Sequence, residues 1–285
     1  MRPDDWHLTH DLDAFLGRAG EFLRSRPALH TVPLTVADSL RRRGPHIYGP
    51  ADPLFGTLDA AGDVRGVFFR TPPHRLNITS LTEGEAESLA ERLAADGHRL
   101  PGVSADRDTA AFFAAAWSRR TGVESQLVER QRLYRLGELT SPGAVPAGWA
   151  RVAAAADRDL LIRWHDAFMD DTGAYNGQDA GAWADSRIAY GGITLWETPD
   201  GTPVAMSGAT PQVAGQVRVA PVYTPPALRG RGYAGAATVE VSRAAQAAGA
   251  AEVLLFTDLA NPTSNGLYQR IGYRPVTDFA VYAFG

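Results

Sequence analysis

No stretch constrains the chain more than residues 217–273, where a strand, a glycine-spaced turn and a helix follow one another directly. Residues 217–224 are rich in β-branched and aromatic side chains, the composition of a strand, and Pro225-Pro226 ends it. Arg229-Gly-Arg-Gly-Tyr-Ala then makes a turn. Residues 233–248 carry apolar side chains at Ala234, Ala237, Val241, Ala244, Ala245 and Ala248, a helical spacing, with Gly249 placed to cap the end.

Such a succession makes an anion site. The first amides of a helix have no internal partner, and the helix dipole adds partial positive charge there. Gly230 and Gly232 remove side chains that would keep a diphosphate from the backbone. Arg229 and Arg231 add charge-assisted donors at the rim. Gly230-x-Gly232-x-x-Gly235 also fits the dinucleotide fingerprint. That fingerprint expects a turn leaving its strand almost directly and an acid about 20 residues on, at the end of the next strand. Here two prolines and three further residues intervene, Glu252 falls at the wrong end of the next strand, and Asp258 comes late. Only 50 residues follow Gly235, too few for a doubly wound sheet.

A second pattern fits better. Arg229-x-x-Gly232-x-Ala234 is similar to the (Gln/Arg)-x-x-Gly-x-(Gly/Ala) motif of the GNAT acetyltransferase superfamily. Downstream, Asn261-Pro-Thr-Ser-Asn-Gly-Leu-Tyr268 with Gly272-Tyr273 resembles that family's Asn-x-x-(Ala/Ser)-x-x-x-Tyr-x-x-x-Gly-(Phe/Tyr) element. The resemblance covers about residues 148–285. It implies that Arg229, Gly230, Arg231, Gly232, Tyr233 and Ala234 hold the pyrophosphate of acetyl-coenzyme A. A bulged central strand would place backbone groups of Val222, Tyr223 and Thr224 on the pantetheine arm and thioester carbonyl. Asn261 would bond the coenzyme arm, cap a helix, or both. Tyr268 matches the leaving-group acid, a role that suits a phenol protonated at neutral pH.

The general base stays open. All seven His lie at or before His165, so the motif-bearing segment has none. Glu197 at a strand end and Asp258 after the next strand are candidates, beside water-relayed deprotonation or an amine arriving neutral. His165-Asp166 and Met169-Asp-Asp-Thr lie on helices that line the acceptor pocket in relatives, and their acids read as a solvated helix face. His165 has no metal-ligand partner at a familiar spacing, so no metal is expected.

At 285 residues the chain has room for two domains. Hydrophobic content of 45% and charged content of 21% suit a soluble globular protein. A net charge of −4 gives no electrostatic footprint for nucleic acid. All 28 basic residues are Arg, which removes Lys self-acetylation. There is no Cys, so a disulfide or cysteine acyl-enzyme is excluded. Met1-Arg-Pro-Asp-Asp-Trp lacks the apolar core of a signal peptide and no apolar run is long enough for a membrane span, so a cytoplasmic protein is expected.

The order helix, helix, three strands, helix, strand, helix, strand reads twice along the chain. The expected fold is therefore α/β, with tandem GNAT-like mixed sheets flanked by helices: a degenerate half over 1–138, a linker over 139–147 and a GNAT domain over 148–285. In the first half, Ser80-Leu-Thr-Glu-Gly-Glu-Ala-Glu stands where the glycine turn would be, and three carboxylates repel a pyrophosphate. The function implied is acetyl transfer from acetyl-coenzyme A to a small-molecule or peptide amine, in a ternary complex without metal. A non-catalytic acyl-coenzyme A sensor is the alternative.

Overall fold

The computed structural model describes residues 5–60, 62–173 and 179–285; the N-terminal residues 1–4 and position 61, in the turn expected over 60–63, lie outside the described residues. The chain divides into two compact units. One comprises residues 1–132, 258–260 and 277–285; the other comprises 133–257 and 261–276.

The first unit opens with β1 (Trp6–Thr9), α1 (Leu12–Ser25) and α2 (Thr31–Arg43). Strands β2 (Leu54–Ala60), β3 (Asp63–Arg70) and β4 (Leu76–Ile78) follow, then α3 (Glu83–Ala95), β5 (Gly102–Asp106), α4 (Arg107–Thr121) and β6 (Ser125–Leu136), whose residues from 133 onward belong to the second unit. Pairing is antiparallel from β1 through β4 and parallel between β4 and β5. Trp6, Phe68, Leu89, Phe113 and Trp117 centre its core, and the Trp6 indole donates to Ser88 Oγ at 3.0 Å.

The second unit repeats this order. It holds β7 (Trp149–Val152), α5 (Arg158–Thr172), α6 (Ala180–Ala189), β8 (Ile193–Glu197), β9 (Pro203–Ala209), β10 (Gln216–Tyr223), α7 (Tyr233–Ala247), β11 (Glu252–Asp258) and α8 (Pro262–Arg270). Strands β7 to β10 pair antiparallel in sequence, and β10 pairs parallel with β11. Side chains alternate across this sheet. Leu195, Met206 and Tyr223 pack with Trp164 of α5 and Trp183 of α6, whereas Trp196 and Ala205 pack with Ala236 and Ala237 of α7.

The last strand, β12 (Tyr273–Phe284), is divided, its residues from 277 onward belonging to the first unit. There Phe279–Ala283 pair antiparallel with Asp106–Gly102 of β5. β1 and β5 are short strands whose few residues give little periodicity, and β12 begins well before the expected residue 279. Among the described residues no helix is long and apolar enough to cross a membrane.

Candidate functional site

The site is built around β10. Its pairing with β9 passes from Val219↔Ala209 to Val222↔Ser207, so β10 carries one more residue than β9 across the interval, a bulge. Pro221 lies in that interval and has no N–H to give the ladder. On the opposite edge, the parallel ladder to β11 ends at Arg218↔Leu254 while both strands run on. A wedge therefore opens beside residues 219–224, where Val222, Tyr223 and Thr224 stand.

Gly208 lets the bulge approach. A Cβ there would lie 2.6 Å from the Ala220 carbonyl oxygen and 2.9 Å from Pro221 Cδ. Gly208→Ala is expected to cost about 1–3 kcal/mol, the usual range for overpacking a tight interior. Thermal unfolding measures the effect, and a variant as stable as the wild type would show that Gly208 does not brace the bulge.

After β10 a short 3₁₀ turn, Pro226–Leu228, leads into the glycine turn. Gly230 and Gly232 take left-handed φ of 78° and 84°, a conformation L side chains rarely adopt. Gly232 is the N-cap of α7, and no side chain caps it. The first closing bond of the helix runs from Ala236 N–H to the Gly232 carbonyl at 3.0 Å. The amides of Tyr233, Ala234 and Gly235 precede it and have no acceptor inside the helix. In the first unit α3 differs: Thr82 accepts the Glu85 N–H, and Glu85 accepts the Thr82 N–H at 2.7 Å. That capping box closes the helix end with the protein's own carboxylate.

The two arginines are already engaged. Arg229 donates through Nε to the Thr224 carbonyl at 3.0 Å and through Nη2 to Asp171 of α5. Arg231 is exposed and donates to the Ala227 carbonyl at 3.3 Å. Arg229 thus pins the turn to the end of β10. Gly235 permits close packing of α7 on α8, since a Cβ there would lie 2.9 Å from Leu267 Cδ1.

In α8, Asn261 is the N-cap, accepting the Ser264 N–H at 3.0 Å, with Pro262 at the first helical position. Tyr268 follows two turns in and is 7% exposed. Burial pushes its phenol up to about 12. Its ring lies 6.0 Å from that of Tyr273, edge to face. A partner unforeseen from sequence is Tyr134 of β6, wholly buried, whose hydroxyl donates to Asn265 Oδ1 and accepts from Gln269 Nε2, both at 2.9 Å. Those bonds grip α8 on either side of Tyr268.

A bulged strand, a wedge, an uncapped glycine turn and a buried phenol thus occur in one unit. A sequence model of the acetyltransferase (GNAT) family matches residues 149–273. The chain carries a GNAT acetyltransferase domain. Solved structures agree in fold over nearly its whole length. A GCN5-related N-acetyltransferase from Sphaerobacter thermophilus is 16% identical, with a TM-score of 0.62, 99% of this chain covered and 96% of that one. A GNAT-family acetyltransferase from Colwellia psychrerythraea is 11% identical, with a TM-score of 0.63 and 98% of each chain covered. A tandem GNAT protein of the clavulanic acid biosynthesis pathway is 11% identical, with a TM-score of 0.56 and 98% of each covered. No curated relative matches the chain by sequence.

The GNAT domain's carboxylate candidates fare unequally. Glu197 is 6% exposed, and its Oε1 accepts Arg151 Nε at 2.6 Å. Arg151 also takes Asp157 bidentately at 2.6 and 2.8 Å, so Glu197 belongs to an ion-pair cluster joining β7, β8 and the start of α5. Asp258, exposed at the end of β11, accepts the Ala260 N–H at 2.8 Å and falls among the residues of the first unit. The helix face expected to be solvated is only partly so. Asp166, Asp170 and Asp171 are exposed, but His165 is buried with Leu161 and Trp164. Its place one residue after Trp164 and four after Leu161, on the apolar stripe of α5, was the available signal.

Proposed function

We propose that the GNAT domain transfers an acetyl group from acetyl-coenzyme A to an amine, directly and within a ternary complex. The observation that carries this reading is the uncapped glycine start of α7 beside the bulge of β10. Bare amides at a helix N-terminus favour a diphosphate, and a separated strand pair offers backbone groups to an extended arm. The residues present fit that ligand, since no side chain fills the turn at Gly230. The first unit is read as having no coenzyme site, because α3 closes its own start with Glu85.

The thioester supplies an activated acyl carbon. Residues 230–235 hold the diphosphate, and residues 222–224 align the arm and polarise the carbonyl. The amine nitrogen attacks, a C–N bond forms, and the C–S bond breaks. Tyr268 gives its proton to the departing sulfur, for which a buried phenol that stays protonated across the neutral range is suited. Incubating the protein with acetyl-coenzyme A and a panel of small amines, a polyamine, an aminosugar and peptides with free N-termini tests the reading by free-thiol release. Tight coenzyme binding without thiol release from any amine would favour a sensor instead.

Arg229 bears on affinity. Its ion pair with Asp171 places a carboxylate beside the proposed diphosphate, and both side chains are substantially exposed. Exposed pairs are worth about 0–1 kcal/mol, so removing the negative charge has a bounded effect. Asp171→Asn is expected to tighten acetyl-coenzyme A binding about two- to fivefold by calorimetry. Weaker binding would mean that Asp171 orients Arg229 for the ligand rather than competing with it.

A further inference from the structure

The segment between β6 and β7 is held at both ends. At its start Gly137 and Thr140 donate their N–H groups to the Gly272 and Ile271 carbonyls, just past α8, at 3.0 and 3.1 Å. At its end Gly148 meets the last residue of β8 so closely that a Cβ there would lie 1.9 Å from the Glu197 carbonyl oxygen. Residues 141–147, Ser-Pro-Gly-Ala-Val-Pro-Ala, run between these anchors, all within the second unit. They precede the stretch that the family's sequence model matches.

Their path follows the glycine turn. A Cβ added to Gly232 would lie 3.6 Å from Pro146 Cδ and 4.0 Å from the Ala144 carbonyl oxygen. One added to Gly235 would lie 3.9 Å from Pro142 Cγ. The segment thus walls one side of the first turn of α7, where the diphosphate is placed. At Gly230 an added Cβ meets nothing within 4 Å, so the approach from that side is open.

The composition suits a wall for an anion. None of the seven side chains is charged. All but the two prolines carry an N–H, and among the described residues none of those N–H groups donates to another backbone group. Ser141, Gly143, Ala144, Val145 and Ala147 are exposed, so turning an amide toward a phosphate exchanges a water and breaks no internal bond. Pro142 and Pro146 restrict the backbone, which lowers the entropy lost when the segment is ordered on a ligand.

We propose that residues 141–147 form a strap that holds the nucleotide end of the coenzyme against α7, its amides donating to phosphate oxygens. This rests on the reading that the start of α7 binds the diphosphate. The strap adds affinity, and the thioester chemistry stays with residues 222–224 and Tyr268.

Hydrogen exchange on the full chain reads the strap directly. Coenzyme A should slow the amides of Gly143, Ala144, Val145 and Ala147 about fivefold or more, whereas pantetheine, which lacks phosphate and adenosine, should leave them unchanged. Val145 is 57% exposed, so its side chain can be exchanged without disturbing the core. Val145→Asp should weaken coenzyme A binding about three- to tenfold at low ionic strength by calorimetry, a loss that shrinks in salt. Val145→Arg should bind at least as tightly as the wild type. With the fastest amine of the panel, kcat/KM for S-acetylpantetheine should be equal in all three proteins, because that donor has no phosphate for the strap to meet. Unprotected strap amides, an Asp variant that binds coenzyme A as the wild type does, or one that loses acetylpantetheine turnover equally would each overturn the proposal. Coenzyme A that binds and protects the strap without thiol release from any amine would support the strap while overturning acetyl transfer. A wild type that binds no coenzyme A would overturn both.

Discussion

Tyr268→Phe should lower kcat by about 10²–10⁴, the range for losing a positioned general acid, and leave acetyl-coenzyme A affinity within twofold. The exchange removes one hydroxyl and keeps the ring, so the packing against Ile271 and Tyr273 in the α8 core stays filled. Tyr273 serves as an internal control. Its hydroxyl lies 2.8 Å from Ser242 Oγ within the protein, so Tyr273→Phe should affect stability rather than turnover. Because burial holds the Tyr268 phenol up to about 12, no alkaline loss of rate should arise from it below that pH. Steady-state kinetics across pH, paired with calorimetric binding, decide the matter. A Phe variant with kcat within threefold of wild type would remove Tyr268 from the chemistry.

Arg151→Met should destabilise the second unit by about 3 kcal/mol at neutral pH, the lower end of the cost of stranding buried carboxylates. Arg151 binds both Asp157, 8% exposed, and Glu197, 6% exposed. The guanidinium holds the Asp157 carboxyl below its ordinary value of 3.8, with help from the Ala154 N–H and against the opposing effect of burial. A depressed carboxyl pKa contributes stability above the unfolded value and loses it as pH falls through the folded one. The gap between variant and wild type should therefore be widest near neutrality and narrow in acid. Denaturant unfolding at several pH values measures it. A gap constant with pH would mean that Arg151 acts through packing alone.

Local signals carried much of the structure. Asn261-Pro262 fixed the start of α8, the β-branched run over residues 252–258 coincides with β11, and the glycine turn falls between β10 and α7 as its composition required. What stayed hidden was decided by distant partners. Nothing near Glu197 in sequence announces Arg151, 46 residues earlier, and Arg229 meets Asp171 across 58. Tyr134 reaches Asn265 across 131 residues. Gly208 reads as an ordinary strand glycine until Ala220 is set against it. His165 was visible as a residue type, but its burial depended on how α5 turned its apolar stripe.

The division of β12 has a practical corollary for anyone cutting this protein into pieces. A fragment stopped at residue 138 would lack Phe279–Ala283, the strand that pairs with β5, and with it the buried Ala280 and Val281. Its exposed ladder of amides and carbonyls would invite aggregation. The complementary piece would carry an adhesive tail with nothing to match it. Supplying residues 277–285 in trans as a peptide, or grafting them behind a short loop, is the way to obtain the N-terminal part in tractable form.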